Sequence, residues 1–388
     1  MILVGEERLF ILHVGRHKCG STSIQRILSD NAGRLREYDI MYPTVARPGN
    51  AHHLLAKNLK CDKSDDLDEI LELKKRHPEQ KIVLSSEGLG TLSLPQINRL
   101  RDRIGACETL IVIYMRDLIG WLPSKYNEVT KVGSNTADFD QFYNEEQLSS
   151  SLYASWYCEQ WASIFGWHNL RIRSLDSRSL SGGTLITDFL SIFGLVPADL
   201  GDQEAPNLEL RNTSFGWKVL EVLRAQFALF KAHPDAIPVT WEVGARIRNL
   251  AVRLLTNMGL NGQYTQYLSA GQCLEADRMY RLELEKLNQQ IVGPKLPLPE
   301  RPVVTDRPFL PTLQQIPIDE RIELARRMEF NLLGKGAASG GAWHKQFDQA
   351  GIGIELRRCN IDALASDANI NLLPSSGLSS RTGPRHLR

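Results

Sequence analysis

Nine consecutive residues, Gly15-Arg16-His17-Lys18-Cys19-Gly20-Ser21-Thr22-Ser23, carry the densest chemistry in the N-terminal part of this chain. The two glycines let a backbone curl around an oxyanion. A helix opening at Ser21 would turn unpaired N–H groups and the positive end of its dipole toward that anion. Ser21, Thr22 and Ser23 add hydroxyl donors, and Arg16, His17 and Lys18 add nitrogen donors and positive charge. The glycine spacing follows GxxxxGK[ST], but Ser21 stands where the lysine belongs and Lys18 is displaced into the loop. The lesser alternative for the same string is a tight turn capped by its Ser and Thr. Cys19 reads as a small side chain filling that turn, although loop amides would lower its thiol pKa if it faced them.

A second constellation follows the β-branched run Ile111-Val112-Ile113-Tyr114-Met115, which ends in Arg116, with Ser124 eight residues later in Trp121-Leu122-Pro123-Ser124-Lys125-Tyr126. An arginine at the carboxyl end of a parallel strand points into the crevice where open α/β sheets bind ligands. Its guanidinium can grip a phosphate through two N–H groups while a serine hydroxyl closes the other side. Alone, such an arginine is usually a solvated charge or a salt-bridge partner, and it is the joint occurrence with the first loop that favours the ligand reading. For a general base the first candidate is Glu87, in Ser85-Ser86-Glu87-Gly88. It also reads as a helix-start carboxylate or a partner of Arg116. His17, His52 and His53 are rivals, because an imidazole titrates near neutral pH. Asn212 and Ser214 read as caps of a following helix. Tyr153 and Trp156 are candidates for a crevice wall, and Trp161, one turn before Phe165, for the core.

These residues need a scaffold of alternating strands and helices, and the chain supplies the pattern. Arg8 to Val14 is a short apolar run of the kind a buried parallel strand shows, and helical spacing follows at Ile24, Ile27 and Leu28. Lys81 to Ser85, Thr109 to Met115 and Asn169 to Ser174 predict further strands, with helical patterns between them and a helix near Leu185 to Phe193 that stops at Gly194. The alternation predicts an α/β fold with a central parallel sheet covered by helices. Phe215, Val219, Val222, Leu223, Phe227 and Phe230 mark one face of a helix, and a second helical pattern runs from Trp241 to Leu255, so the C-terminal half is expected to be mainly helical. The expected organisation is an α/β core over 1–205 and a helical part over 206–290, forming one domain over 1–290. Prolines at 294, 297, 299, 302, 308, 311 and 317 predict over 291–318 an extended segment that lies on the surface or links two parts, taken as a linker, and 319–388 is expected to be a C-terminal extension with a disordered tail.

Composition narrows the classes of partner. A formal net charge of +1 creates no global field for nucleic acid or anionic membrane, so an anion must be caught by local donors. No apolar stretch approaches the roughly 18 residues of a membrane span. Leu9 to Val14 is too short for a signal-peptide core, so a cytoplasmic protein is expected. Cys19, Cys61, Cys107, Cys158, Cys273 and Cys359 lie far apart with no metal-ligand spacing, and read as free thiols.

The stretch from His13 to Gln25, HVGRHKCGSTSIQ, resembles the N-terminal loop HxGxxKxGSTSxQ of the sulfotransferase superfamily, particularly its bacterial and carbohydrate-directed members. Cys19 replaces the usual small residue before the second glycine. The arginine-to-serine interval of eight from Arg116 to Ser124 also matches that family, as does the Ser-Ser-Glu segment at Glu87. The resemblance implies a P-loop NTPase-like sheet and a co-substrate, 3′-phosphoadenosine 5′-phosphosulfate, without metal. It further implies transfer of the sulfuryl group to a hydroxyl or amine of a small-molecule or glycan acceptor. Residues 15–23 would hold the 5′-phosphosulfate, with Lys18 at its bridging oxygen. Arg116 and Ser124 would hold the 3′-phosphate, and Glu87 or a histidine such as His17 would take the proton. A nucleotide kinase or NTPase would share the fold but would need a lysine after Gly20 and a magnesium-binding aspartate at the end of the Thr109 to Met115 strand. A catalytically silent nucleotide-binding protein would keep the donor residues alone.

Overall fold

The computed structural model describes residues 10–105, 109–149, 152–201, 215–232 and 265–300, together with 302, 304, 306, 307, 311, 316 and 317. Arg8, Leu9, Asn212, Ser214, the pattern from Trp241 to Leu255 and the extension 319–388 lie outside these residues, as do Cys107 and Cys359. Contacts divide the chain into two compact units, the first comprising 1–127, 139–214 and 266–310, the second 128–138, 215–265 and 311–388.

The first unit is built on a five-stranded parallel sheet in the order β2-β3-β1-β4-β5. The strands are β1 (Phe10–Val14), β2 (Ile40–Met41), β3 (Lys81–Ser86), β4 (Thr109–Met115) and β5 (Leu170–Ser174). β1 and β4 are buried along their whole length, as strands covered on both faces must be, and this is why FILHV and TLIVIYM read as near-continuous apolar runs. β5 alternates buried and half-buried positions, with Arg171 and Arg173 on the less buried set, as suits an edge. The register pairs His13 with Ser85 and with Val112, so β1 sits between β3 and β4 with its carboxyl end beside theirs.

Helices flank this sheet. α1 (Ser21–Asp30) buries Ile24, Ile27 and Leu28 against β3 and a later helix. α2 (Ala32–Leu35), α3 (His53–Lys60), α4 (Asp65–Arg76) and α5 (Leu94–Ile104) follow between β1 and β4. α6 (Leu118–Lys131), α7 (Phe139–Gln147) and α8 (Ala154–Phe165) lie between β4 and β5, and α9 (Leu185–Ser191) packs on α1. Trp161 is buried in α8 and stacks on Phe165 at 5.8 Å between ring centroids, the core role its spacing predicts. α10 (Trp217–Ala232) belongs to the second unit, where Val219, Leu223 and Phe227 are buried and Arg224 binds Glu221 and the Thr136 carbonyl.

α11 (Ala270–Gln290) belongs to the first unit and packs on α8, where its buried Glu283 accepts from the Ser155 amide and hydroxyl. The proline-rich stretch expected as a linker is tied to this helix. Asn288 exchanges two hydrogen bonds with Leu296, and Arg281 donates to the Pro299 carbonyl at 2.7 Å. Arg307 forms a two-nitrogen grip on Asp140. No helix among the described residues is long and apolar enough to cross a membrane.

Candidate functional site

The carboxyl ends of β3, β1 and β4 deliver Glu87, the loop 15–20 and Arg116 side by side. This is where strand order switches direction, and where open α/β sheets form their crevice. The loop after β1 opens with Gly15, whose amide donates to the Ser86 carbonyl at 3.2 Å. A Cβ on Gly15 would stand 2.5 Å from Ser21 Oγ and 3.1 Å from Glu87 Cγ, so only glycine fits. The turn closes with the Cys19 amide on the Arg16 carbonyl at 3.2 Å, which places Lys18 in the left-handed region at φ 62°. Gly20 is also left-handed, at φ 79°, and a Cβ there would collide with the Leu185 side chain of α9.

Gly20 is the N-cap of α1 and brings no capping side chain, and the helix has no acidic residue in its first turn. The reading of Ser and Thr as caps therefore fails: Ser21, Thr22 and Ser23 lie inside the first turn rather than before it. No backbone carbonyl among the described residues accepts from the amides of Gly20, Ser21 or Thr22. Ser21 is 4% exposed, and its Oγ has no hydrogen-bond partner among the described residues. A buried hydroxyl without a partner costs about 1–3 kcal/mol, and it stands at an uncapped helix N-terminus where the field favours a negative charge. Thr22 is exposed, Ser23 and Lys18 half-buried.

Two residues expected among the ligands turn away instead. Arg16 is buried, with Nη2 donating to the Leu152 carbonyl at 3.1 Å and its guanidinium 4.7 Å from the centre of the Trp121 ring. Its side chain props the loop, because a cation over an indole and on a carbonyl is held by the core. Cys19 is 1% exposed, and burial pushes its thiol up to about 11, outweighing Arg16 and Arg116 nearby. It fills the turn as a neutral thiol; the other described cysteines, Cys61, Cys158 and Cys273, are likewise unbridged. His17 is exposed, and its carbonyl accepts from Trp121 Nε1 at 2.9 Å.

Arg116 and Ser124 meet as their spacing predicts: Arg116 Nη1 donates to Ser124 Oγ at 3.3 Å, and that hydroxyl donates to the Gly120 carbonyl at 2.8 Å. Gly120 makes room for the guanidinium, since a Cβ there would lie 2.8 Å from Arg116 Nε. Asp117, the carboxylate next to the end of β4, accepts from the Gly120 amide at 2.7 Å and so caps α6.

Glu87 is 14% exposed and its Oε2 accepts from Gln25 Nε2 at 3.0 Å, with His53 Nε2 at 3.6 Å. Among the described residues the basic side chain within ion-pair distance of Glu87 is thus His53 rather than Arg116. His53 is exposed on one side, and its Nδ1 lies 2.9 Å from Ser86 Oγ. Its neighbour His52 has a different fate. Its Nδ1 accepts from the Ser85 amide at 3.2 Å, so Nε2 carries the hydrogen and donates to the Pro43 carbonyl at 3.0 Å. Burial lowers the His52 pKa to about 4, which leaves it a neutral structural group and removes it as a base. His13 on β1 is likewise lowered to about 4 by burial, against a smaller opposing pull from Glu87.

The residues that bind this site together without having been given a role from sequence are Trp121, Gln25, Tyr157 and Gly120. Tyr157 donates to the Gly15 carbonyl at 3.2 Å and crowds Gly90. Lys125 lies 4.8 Å from the Trp121 ring centre and pairs with Glu146 at 2.8 Å. Tyr153 and Trp156 remain exposed on α8 or at its start. Among the described residues no group of three or more His, Cys, Asp or Glu is arranged to hold a metal ion. Comparison of the chain with protein-family models, with curated proteins and with solved structures gives no match in any of the three.

Proposed function

We propose that this protein is a sulfotransferase with a modified P-loop, which moves a sulfuryl group from 3′-phosphoadenosine 5′-phosphosulfate to a hydroxyl or amine of a small-molecule or glycan acceptor. The observation that carries this reading is Ser21: a buried hydroxyl with no partner, under a glycine cradle, at an uncapped helix N-terminus. Such a group is satisfied by an anion that accepts from it and from the amides of Gly20, Ser21 and Thr22 together. The residues present fit the donor at both of its anionic ends, because Arg116 and Ser124 supply a second set of phosphate donors at the adjacent strand end.

When bound, the donor supplies the sulfuryl group, whose S–O bond to the 5′-phosphate breaks, the electron pair leaving on that oxygen, as the acceptor atom bonds to sulfur. Ser21, Thr22, Ser23 and the loop amides hold the 5′ end, and Lys18 neutralises charge growing on the departing oxygen. Arg116 and Ser124 hold the 3′-phosphate. Glu87 takes the acceptor proton, with His53 Nε2 3.6 Å from its carboxylate. A kinase reading is disfavoured by Ser21 at the lysine position and by Asp117, whose Oδ1 is spent on capping α6.

Isothermal titration with adenosine 3′,5′-bisphosphate, with magnesium ATP as the comparator, tests the assignment. Micromolar binding of the bisphosphate with little for ATP is the expected result. The reverse preference would remove the roles given to Lys18 and Arg116.

A further inference from the structure

We infer that Gln25 is the positioning residue for the base: it holds one carboxylate oxygen of Glu87 so that the other, Oε1, receives the acceptor's proton. This rests on the reading of Glu87 as the base in sulfuryl transfer. Gln25 is 4% exposed, on α1, one turn beyond Ser21 and on the same side of the helix. Its Nε2 donates to Glu87 Oε2 at 3.0 Å. An ionised carboxylate only accepts, so the amide nitrogen must be the atom that faces it, and the amide cannot turn over without losing the bond.

Among the described residues the two groups that reach the carboxylate converge on Oε2, Gln25 from α1 and His53 Nε2 at 3.6 Å from α3. Oε1 is left as the oxygen on which a proton can be placed. The stem of Glu87 is fixed as well, because its Cγ lies against Gly15, where a Cβ would come within 3.1 Å. One rigid helix thereby carries the anion-binding hydroxyl of Ser21 at its first position and, a turn later, the group that aims the base. The group that holds the donor and the group that aims the base then share one helix. In the step itself the acceptor's proton passes to Oε1 while its oxygen bonds to sulfur and the donor's bridging oxygen leaves with the electron pair.

The test is a double-mutant cycle on the full chain, with release of adenosine 3′,5′-bisphosphate from the sulfate donor as the rate and calorimetric affinity for the bisphosphate as the second readout. Gln25→Leu removes a hydrogen bond to a charged group, so turnover should fall roughly 10- to 100-fold while bisphosphate affinity stays within about threefold. In a Glu87→Gln background the same change should alter turnover by less than about threefold, because the group it aims is already lost. Losses that multiply in the double variant overturn the positioning role and leave the donor site standing. Full turnover in Glu87→Gln removes the base assignment and Gln25 with it. Wild-type protein that binds no bisphosphate overturns the functional reading itself, and wild-type protein that binds it but releases none from the donor overturns both roles. Should Gln25→Leu fail to fold, Gln25→Glu, which sets a carboxylate against Glu87, is read in the same cycle.

Discussion

Two buried histidines converge on Ser85, two residues before Glu87, and they make the site acid-labile in a calculable way. His13 Nδ1 lies 2.7 Å from Ser85 Oγ, while His52 accepts from the Ser85 amide and donates its own amide to the Ser85 carbonyl at 2.8 Å. Burial lowers both to about 4 in the folded protein, against about 6.5 in the unfolded chain. The unfolded chain therefore takes up protons below pH 6.5 that the folded chain refuses until about pH 4. Stability from each group is present above the unfolded value and is lost as pH falls toward the folded one. Between pH 7.5 and pH 5 the difference amounts to about 2 kcal/mol per histidine, or about 4 kcal/mol for the pair. For His52 the mechanism is direct, because a proton on Nδ1 displaces the Ser85 amide it accepts from. Denaturant melts of wild type and of His52→Asn at the two pH values measure this. Asparagine Oδ1 keeps an acceptor for the Ser85 amide but does not titrate, so the variant should lose about half of the pH-dependent destabilisation, about 2 kcal/mol. Equal losses of stability in wild type and variant between pH 7.5 and pH 5 would refute the placement of His52 as a buried neutral group.

The site yields two more measurements, both with opposite signs for stability and binding. Ser21→Ala removes a buried hydroxyl that has no partner, so unfolding stability should hold or rise by up to about 1 kcal/mol while bisphosphate affinity falls roughly tenfold; unchanged affinity would mean that the hydroxyl does not face the anion. Gly120→Ala places a Cβ 2.8 Å from Arg116 Nε and Nη2 and should cut bisphosphate affinity to within about threefold of Arg116→Ala, although alanine favours the helix by about 1 kcal/mol. Wild-type affinity in Gly120→Ala would show that the guanidinium does not need that place.

The sheet was legible because central parallel strands have to be apolar throughout, and β1, β3 and β4 announce themselves as short apolar runs rich in β-branched residues, while the edge strand β5 shows as an alternation, all within a residue or two of their observed bounds. β2 was not, since Ile40 and Met41 make a strand too short for any period to register. The proline-rich stretch was legible only in its backbone. Proline composition predicts an extended backbone, which is what lies beside α11, but says nothing of whether partners such as Asn288 and Arg281 will bind it.

In the site, what could be read was what lies close in sequence: the glycine spacing of the loop and the interval from Arg116 to Ser124, which spans a strand end and the first turns of one helix. Contacts between distant positions could not be read this way. Trp121 reaches His17 across 104 residues and Gln25 reaches Glu87 across 62, and neither type of side chain signals a partner by its local pattern. The adjacent histidines show how small the deciding feature can be. His52 is the N-cap residue of α3 and His53 its first helical residue. At that boundary the backbone changes from an irregular to a helical conformation, and successive side chains diverge. One ring is carried into the Ser85 and Pro43 backbone, where it must stay neutral, and the other is carried to the rim, where its side chain is 58% exposed beside Glu87. Moving the start of α3 by a single residue would exchange the buried histidine for the one beside Glu87, so the surroundings of that carboxylate depend on a helix boundary that composition alone does not specify.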